Sequence, residues 1–446
     1  MTGSAVSRPV PRTSGADLVL AGVCLAVYGV FCLQQLVVGH GFGGGMSLGA
    51  TAMRVFAVGL SAWMLWRRGV PSVLRPVLVA VLACGLALAA SVVASGHRDI
   101  AVRFAVRYGT ELLLLWSLVN LGLAYSRFVP AAAWAAVAML WANVLVALAE
   151  RLGWQPAMVF SLAFHPPETF KYLPRVGGIY EHPALLGASA VITALLAVQM
   201  GQHRALGRGT VGWAVAGAAV AVVLGGERNP LVPLFLLAGV SLWPRWSDGL
   251  GVSRRAIWVL LSGMLVLVAA MVWRRYGELA SASSHGESFL TSFSLGRTYI
   301  WLGALRAWWS HPWFGLGAGV FQFLTPDFTG GRFDRGELHA HNLILGILSE
   351  TGLVGLLACG CLVYALWRPL LEVRGHDRRR VIWAWTWLLV LSGFGLFDFY
   401  LPFYSFAIHA SLAVAAQYSL TAIRDAGQAS EGDGETGAAC LRGDRP

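Results

Sequence analysis

The amino-acid sequence predicts an all-α polytopic membrane protein of about twelve transmembrane helices. Of its 446 residues, 57% are hydrophobic and only 12% are charged, which excludes an ordinary soluble globular protein. Apolar stretches close to the roughly 20 residues that a helix needs to cross a bilayer recur along the whole chain. A membrane β-barrel would instead show short alternating segments, so the sequence favours a helical bundle.

The predicted spans alternate with short polar loops. They lie at about residues 17–38, 48–66, 74–94, 106–125, 129–149, 184–201, 211–225, 231–244, 256–273, 341–367, 381–397 and 404–422. An even number of spans places both termini on one side, and arginines concentrate in alternate short loops, which predicts that these loops and both termini are cytoplasmic. We expect residues 1–424 to form one transmembrane helical domain, and the polar, glycine-rich residues 425–446 to form a disordered cytoplasmic tail.

Two longer segments fall on the opposite face, at about residues 150–183 and 274–340. The second contains "RTYIWLGALRAWWSHPWFGLGAGVFQFL", in which apolar residues recur at helical spacing from Thr298 to Trp309 before Pro312 and several glycines end the helix. We therefore expect amphipathic helices at the membrane surface. Their tryptophans are predicted to anchor them at that interface rather than to stack on sugars.

The cysteines and the net charge limit the kinds of site that the chain can contain. Five of the six cysteines lie inside apolar runs, which indicates neither a disulfide framework nor a zinc site. The formal net charge of +11 is explained by orientation signals, membrane lipids and an anionic lipid-linked substrate, so no nucleic-acid partner is predicted.

Three arginines on the predicted outer face are candidate ligands for phosphate. Arg228 lies in the short loop "GGERNPLVPL", Arg297 opens "GRTYIW", and Arg175 lies in "PRVGGIYEHPALLG" just before a span. One interpretation is that each side chain reaches lipid headgroups or pairs with a carboxylate. Three arginines converging on one face favour the second interpretation, a clamp for a diphosphate.

The stretch "HAHNLILGILSETGLVG" places two histidines at the start of an apolar span. His339 and His341 are two residues apart and cannot share a helical face, and no carboxylate or cysteine cluster completes a metal site around them. We therefore predict metal-independent chemistry. His341 falls at or next to the helix start, where the positive end of the helix dipole keeps an imidazole neutral and able to accept a proton. The alternative is a histidine that caps its own helix.

Charged residues within the predicted spans are interpreted as structural. Arg107 and Glu111 are four residues apart on one helix, which predicts an internal ion pair. Glu350 lies too deep to reach a substrate at the helix mouth, and we expect it to be paired with an arginine or protonated. Gly352 and Gly355 are predicted to allow close helix packing.

The histidine stretch resembles the signature of a known enzyme family. "HNLILGILSETGLVG" has His341 and Asn342, then nine residues, Gly352, two residues and Gly355. This spacing resembles H[NSQ]-x9-G-x-x-[GTY] of the bacterial O-antigen ligases, the WaaL family. The upstream segment is similar to the external loop of the broader ligase and polymerase superfamily, in which an arginine leads a tryptophan-containing helix and a His-Pro, Gly-x-Gly turn follows.

One motif of the family is only partly matched. Its R-x3-L pattern should fall on Arg228, but the fourth residue after this arginine is Val232, and Leu231 comes one position early. The arginine is retained and the spacing is not.

The resemblance implies a GT-C-like glycosyltransferase of the bacterial inner membrane with a periplasmic active site and no cofactor. Its expected reaction transfers O-antigen polysaccharide from undecaprenyl diphosphate to a sugar hydroxyl of the lipid A core, in lipopolysaccharide biosynthesis. His341 or His339 would act as general base, and Arg228, Arg297 and Arg175 would hold the diphosphate. Direct displacement inverts the anomeric configuration, and no paired carboxylates indicate a covalent intermediate.

Other functions fit the same residues. An O-antigen polymerase or a protein O-oligosaccharyltransferase would use the same donor with another acceptor. A transporter of lipid-linked glycans is a more distant alternative, because its substrate groups are expected midway through the bilayer rather than at one face.

Overall fold

The structure is a computed structural model. It describes residues 48–125, 127–154, 176–179, 183–203, 205–226, 262, 297–331, 338–371, 378–397 and 407–419. Every regular element within these residues is a helix, and none is a strand. The predicted spans near 17–38 and 231–244, the span near 256–273 apart from residue 262, and the predicted tail 425–446 lie outside the described residues.

The helices are numbered here in chain order through the described part of the protein. They are α1 Leu48–Arg68, α2 Arg75–Ala94, α3 Arg98–Ala124, α4 Phe128–Arg151, α5 Pro183–Gln202, α6 Arg208–Gly225, α7 Arg297–Ser310, α8 Phe321–Thr329, α9 Leu343–Leu371, α10 Arg378–Phe397 and α11, residues 407–419. A short 3-10 helix, Ser72–Leu74, precedes α2. Most of these bounds lie within a few residues of the predicted spans.

α3 is the main departure, since it begins well before residue 106, the predicted start. Its first turns carry Asp99 and Arg103, which lie four residues apart and form an ion pair of 3.6 Å. Such a pair stabilises an exposed helical extension that hydropathy alone does not reveal.

Five of the described helical segments are long and apolar enough to cross a membrane. They are residues Ser72–Ala94, Phe128–Arg151, Ala184–Gln202, Arg208–Gly225 and Leu343–Leu371. These segments indicate a multi-pass membrane protein, and the total of twelve spans stays a prediction.

Small residues and polar side chains join the helices of the bundle. α5 lies at its centre and is almost completely buried. The Ser61 and Ser117 hydroxyl oxygens, 2.7 Å apart, join α1 to α3. Trp387 Nε1 donates to Gln199 Oε1 over 2.9 Å and joins α10 to α5. Interhelical hydrogen bonds of this kind replace the hydrophobic driving force that is weak inside a bilayer.

Residues 297–331, which contain α7 and α8, pack against the N-terminal part of α9. α7 ends at Ser310, next to Pro312, as the sequence predicts. One face of α7 is buried, at Ile300, Ala304 and Ala307, while Trp309 on the other face is 79% exposed. The predicted helix is therefore present with one buried face, while its amphipathic character and its position at a membrane surface stay predictions, since its exposed residues include Leu302, Leu305 and Trp309.

Candidate active site

Helix α9 is broken at Gly352. This residue has φ 65° and ψ −163°, a backbone conformation that essentially only glycine adopts. A break in an apolar helix leaves backbone amides and carbonyls without their helical partners, and each needs a replacement.

The turn that connects α7 to α8 supplies these partners. We call residues 311–320 the glycine turn. Four backbone hydrogen bonds join it to the break: Leu316 N to Ser349 O (2.9 Å), Gly317 N to Glu350 O (2.9 Å), Leu353 N to Pro312 O (2.9 Å) and Val354 N to Trp313 O (3.2 Å). The turn donates to the carbonyls before the break and accepts from the amides after it.

Gly352 therefore has a different role from the predicted one. A Cβ atom on it would meet the backbone of Trp313 and Phe314. The close approach that this glycine allows is to the glycine turn and not to another helix, so the prediction of helix packing is wrong at this position. Gly355 faces the Thr351 side chain of its own helix.

Glu350 lies immediately beside the break and is 3% exposed. Its Oε2 atom accepts hydrogen bonds from Gly319 N at 2.8 Å and from the Tyr108 hydroxyl at 3.2 Å. The structural interpretation of this carboxylate agrees with its contacts. Within the described residues its partners are a backbone amide and a tyrosine, not the expected arginine.

The two histidines lie on a non-helical segment just before α9. The ring centroids of His339 and His341 are 4.1 Å apart, with the ring planes inclined at 56°. The two histidines share no helical face, as the sequence predicts, but their rings are nevertheless in contact. The backbone between them is not helical, since His341 has φ 47°, in the left-handed region. This turn of the backbone brings neighbouring rings together, and both side chains are partly exposed.

Asn342, and not a histidine, caps α9. Its Oδ1 atom accepts a hydrogen bond from Leu345 N at 3.0 Å, as an asparagine at a helix N-cap commonly does. The Asn342 side chain thus accepts a hydrogen bond from a backbone amide in the first turn of α9.

The histidine segment is held on α8 and shares a buried cluster with α7. Leu338 N donates to Gln322 O over 3.1 Å, and Thr325 Oγ1 donates to Leu338 O over 2.6 Å, which fixes the segment to α8. Ala340, between the histidines, belongs to the same buried cluster as Ile300, which is one helical turn beyond Arg297. The fold therefore brings the start of α7 and the histidines to one region.

Arg175 and Arg228 lie outside the described residues. Val176, the residue after Arg175, donates from its backbone N to Leu224 O over 3.5 Å, and Leu224 lies four residues before Arg228. The turn after residue 175 is also held on α4, because Gly178 N donates to Glu150 Oε2 over 3.2 Å. The chain segments next to these two arginines are thus connected.

A partly open cavity of about 300 Å³ includes Tyr108 and Glu350, which contact each other beside the glycine turn, in its lining. Apolar side chains from α2, α3, α9, α10 and α11 form most of its lining, and its polar groups include Tyr108, Glu111 and Glu350. The predicted ion pair is confirmed nearby, with Arg107 Nε 3.9 Å from Glu111 Oε1. No local sequence pattern predicts this cavity, because its walls come from distant parts of the chain.

Metal-ligating groups are sparse in this region. Among the residues that the structure describes, no group of three or more histidine, cysteine, aspartate and glutamate side chains is placed to hold a metal ion. Metal independence of the reaction stays a prediction.

Comparison with known proteins identifies the region that contains this site. Residues 213–360 match the family model of the O-antigen ligases, Wzy_C. No curated protein matches the chain at a significant level. The matched range contains α7, the glycine turn, the histidine segment and the broken part of α9, so the resemblance seen in the histidine signature is confirmed. Residues 213–360, about a third of the chain, are thus similar to the O-antigen ligases, which is consistent with an enzyme of O-antigen ligase or polymerase type.

Proposed function

We propose that this protein is an O-antigen ligase of the bacterial inner membrane. It transfers O-antigen polysaccharide from undecaprenyl diphosphate to a sugar hydroxyl of the lipid A core, on the periplasmic face and without a metal ion. The observation that carries the proposal is the buried cluster that Ala340, between the histidines, shares with Ile300, one helical turn beyond Arg297, inside the region that matches the family.

The proposed reaction is a direct displacement. The imidazole of His341 or His339 accepts the proton of the acceptor hydroxyl, and the hydroxyl oxygen forms a bond to the anomeric carbon. The bond from that carbon to the diphosphate oxygen breaks on the opposite side, so the configuration inverts. The electron pair and the negative charge leave with undecaprenyl diphosphate.

The arginines stabilise the departing diphosphate. A guanidinium presents paired donors that match phosphate oxygens, and fixed positive charge stabilises the negative charge that grows on the leaving group. Arg297 is the first residue of α7, where the helix dipole also favours an anion. Arg228 and Arg175 are proposed to complete the clamp, and the hydrogen bond from Val176, next to Arg175, to Leu224, four residues before Arg228, supports this.

Reconstitution with competing acceptors tests the function. Purified protein in proteoliposomes is given an undecaprenyl-diphosphate-linked glycan with lipid A core, a second lipid-linked glycan and a pilin-like protein. We expect transfer to the lipid A core, undiminished by a chelator. Preferential transfer to the lipid-linked glycan or to the protein would favour a polymerase or an oligosaccharyltransferase, glycan movement without transfer would indicate a transporter, and loss of activity on chelation would contradict the metal-free mechanism.

Replacement of Arg297 tests the diphosphate clamp. Arg297→Ala is expected to lower kcat about 100- to 1,000-fold, the usual effect of removing a group that stabilises developing charge. Arg297→Lys should recover only part of this rate, because lysine cannot bind two phosphate oxygens with a rigid fork. Arg228→Ala and Arg175→Ala are expected to change kcat in the same direction.

Arg306 provides the control on the same helix. It is exposed and donates from Nη1 to Phe328 O over 3.2 Å, away from the start of α7. Arg306→Ala should leave kcat close to the wild-type value. Equal losses for Arg306→Ala and Arg297→Ala would show that the helix, and not the guanidinium of Arg297, is what matters.

A further inference from the structure

We propose that Glu350 is a positioning residue for the transfer reaction. Its carboxylate fixes the glycine turn on α9, and the turn in turn places both the Arg297 helix and the histidine segment. The inference rests on the proposed function, since these are the groups to which that function assigns the chemistry.

Glu350 holds the glycine turn at two points. Its backbone carbonyl accepts a hydrogen bond from Gly317 N at 2.9 Å, and its side-chain Oε2 accepts one from Gly319 N at 2.8 Å. The same Oε2 atom accepts the Tyr108 hydroxyl at 3.2 Å. One side chain therefore connects three separate parts of the fold: α3, the glycine turn and α9.

The glycine turn fits closely around this contact. Gly319 has φ 68°, and a Cβ atom on it would collide with the Phe104 ring. Ser95, at the end of α2, donates from Oγ to Leu316 O over 2.6 Å. The turn is thus confined between α2, α3 and α9, and the Glu350 carboxylate is its side-chain anchor on α9.

A carboxylate is a costly choice for filling this position. A buried polar group destabilises a fold unless hydrogen bonds replace those lost to water, and an apolar side chain would fill the same volume at the wall of a mostly apolar cavity. The two donors on Oε2 offset that cost. What the carboxylate supplies and an apolar residue does not is directional attachment of the turn.

The glycine turn lies in sequence between Arg297 and the two histidines. On one side it continues from α7, with His311 N bonded to Ala307 O at 3.2 Å. On the other side it leads into α8, whose Thr325 hydroxyl donates to Leu338 O, one residue before His339. A shift of the turn therefore moves Arg297 and the histidines relative to each other, and errors of about 1 Å in such geometry lower rates about 100-fold.

Four variants separate positioning from stability. Glu350→Leu removes the acceptor, whereas Glu350→Gln keeps a carbonyl oxygen whose two lone pairs can accept both donors. Tyr108→Phe removes one donor only. Gln199→Leu is the control, because it removes a buried interhelical hydrogen bond of the same kind, from Trp387 Nε1, far along the chain from the turn.

Three measurements are made on each variant: kcat and KM for transfer, hydrogen exchange of the amides at residues 315–319, and the melting temperature. For Glu350→Leu we expect kcat to fall about 100-fold, with KM little changed and faster exchange in the turn. Glu350→Gln should restore most of kcat and of the protection, and Tyr108→Phe should fall between them. Gln199→Leu should lower the melting temperature while kcat and the exchange of the turn stay near wild type.

Several results would overturn the proposal. They are a wild-type kcat in Glu350→Leu, no recovery in Glu350→Gln, an equal loss of kcat in Gln199→Leu, or unchanged exchange at residues 315–319. The exchange measurement needs no substrate. A wild-type protein that transfers no glycan would therefore refute the proposed function, while the exchange data would still report whether Glu350 holds the turn.

Discussion

Replacing His341 with alanine is expected to lower the rate of glycan transfer about 100- to 10,000-fold, the range for loss of a general base. The acceptor hydroxyl then has no group in place to take its proton as the new bond forms. The measurement is kcat for transfer to lipid A core by the purified variant. His339→Ala, made in parallel, decides between the two rings, which lie 4.1 Å apart: the larger loss identifies the base, and full activity in both variants would refute the assignment.

His341→Gly is the matched control for folding. The left-handed φ of 47° at His341 costs a residue with a side chain about 1–2 kcal/mol, and glycine adopts it freely. We therefore expect a protein at least as resistant to thermal unfolding as the alanine variant and equally inactive. A glycine variant that transfers glycan at the wild-type rate would show that this position serves only the backbone.

Gly352→Ala is expected to give the largest loss of stability. The backbone conformation alone costs an alanine about 1–3 kcal/mol, and its Cβ would also collide with the Trp313 carbonyl. The glycine turn must then move, so transfer should fall together with the free energy of unfolding. Thermal unfolding in detergent and kcat are measured on the same preparation.

Gly360 offers a control on the same helix. A Cβ atom on Gly360 meets nothing within 4 Å, and its backbone φ is not positive. Gly360→Ala should be neutral or should stabilise the helix by about 0.5–1 kcal/mol, the difference in helix propensity. If Gly352→Ala unfolded at the same temperature as Gly360→Ala, the break at residue 352 would not be needed for stability.

Hydropathy was sufficient to predict most described helices because each depends on a local run of apolar residues. It gave α9 as one span from residue 341 to 367, and α9 runs from Leu343 to Leu371. The break inside it was not predicted, since no proline marks it and the polar residues 349–351 interrupt the apolar run only briefly. Only the arrival of a turn from elsewhere in the chain makes that conformation favourable, and such a contact has no local signal.

The candidate site was predicted in part for the same reason. Histidines at a helix mouth and Arg297 at a helix start are local patterns, and the structure places both in one region. The contact between the two rings depends on φ at His341, and the partners of Glu350 come from α3 and the glycine turn. Arg175 and Arg228 lie outside the described residues, so their place in the clamp stays a prediction.

Nine residues separate Asn342, which follows the histidines, from the break in α9 at Gly352. The helical piece in between, residues 343–351, is attached at both ends to residues 311–329. The segment before it is bonded through Leu338 to α8, and its other end is bonded through Ser349 and Glu350 to the glycine turn. Adding one residue to a helix lengthens it by about 1.5 Å and rotates one end against the other by about 100°. The length of this piece therefore sets the distance and the rotation between the histidine segment and the glycine turn. An insertion within it would turn the imidazoles away from Arg297 even if every side chain of the site were kept.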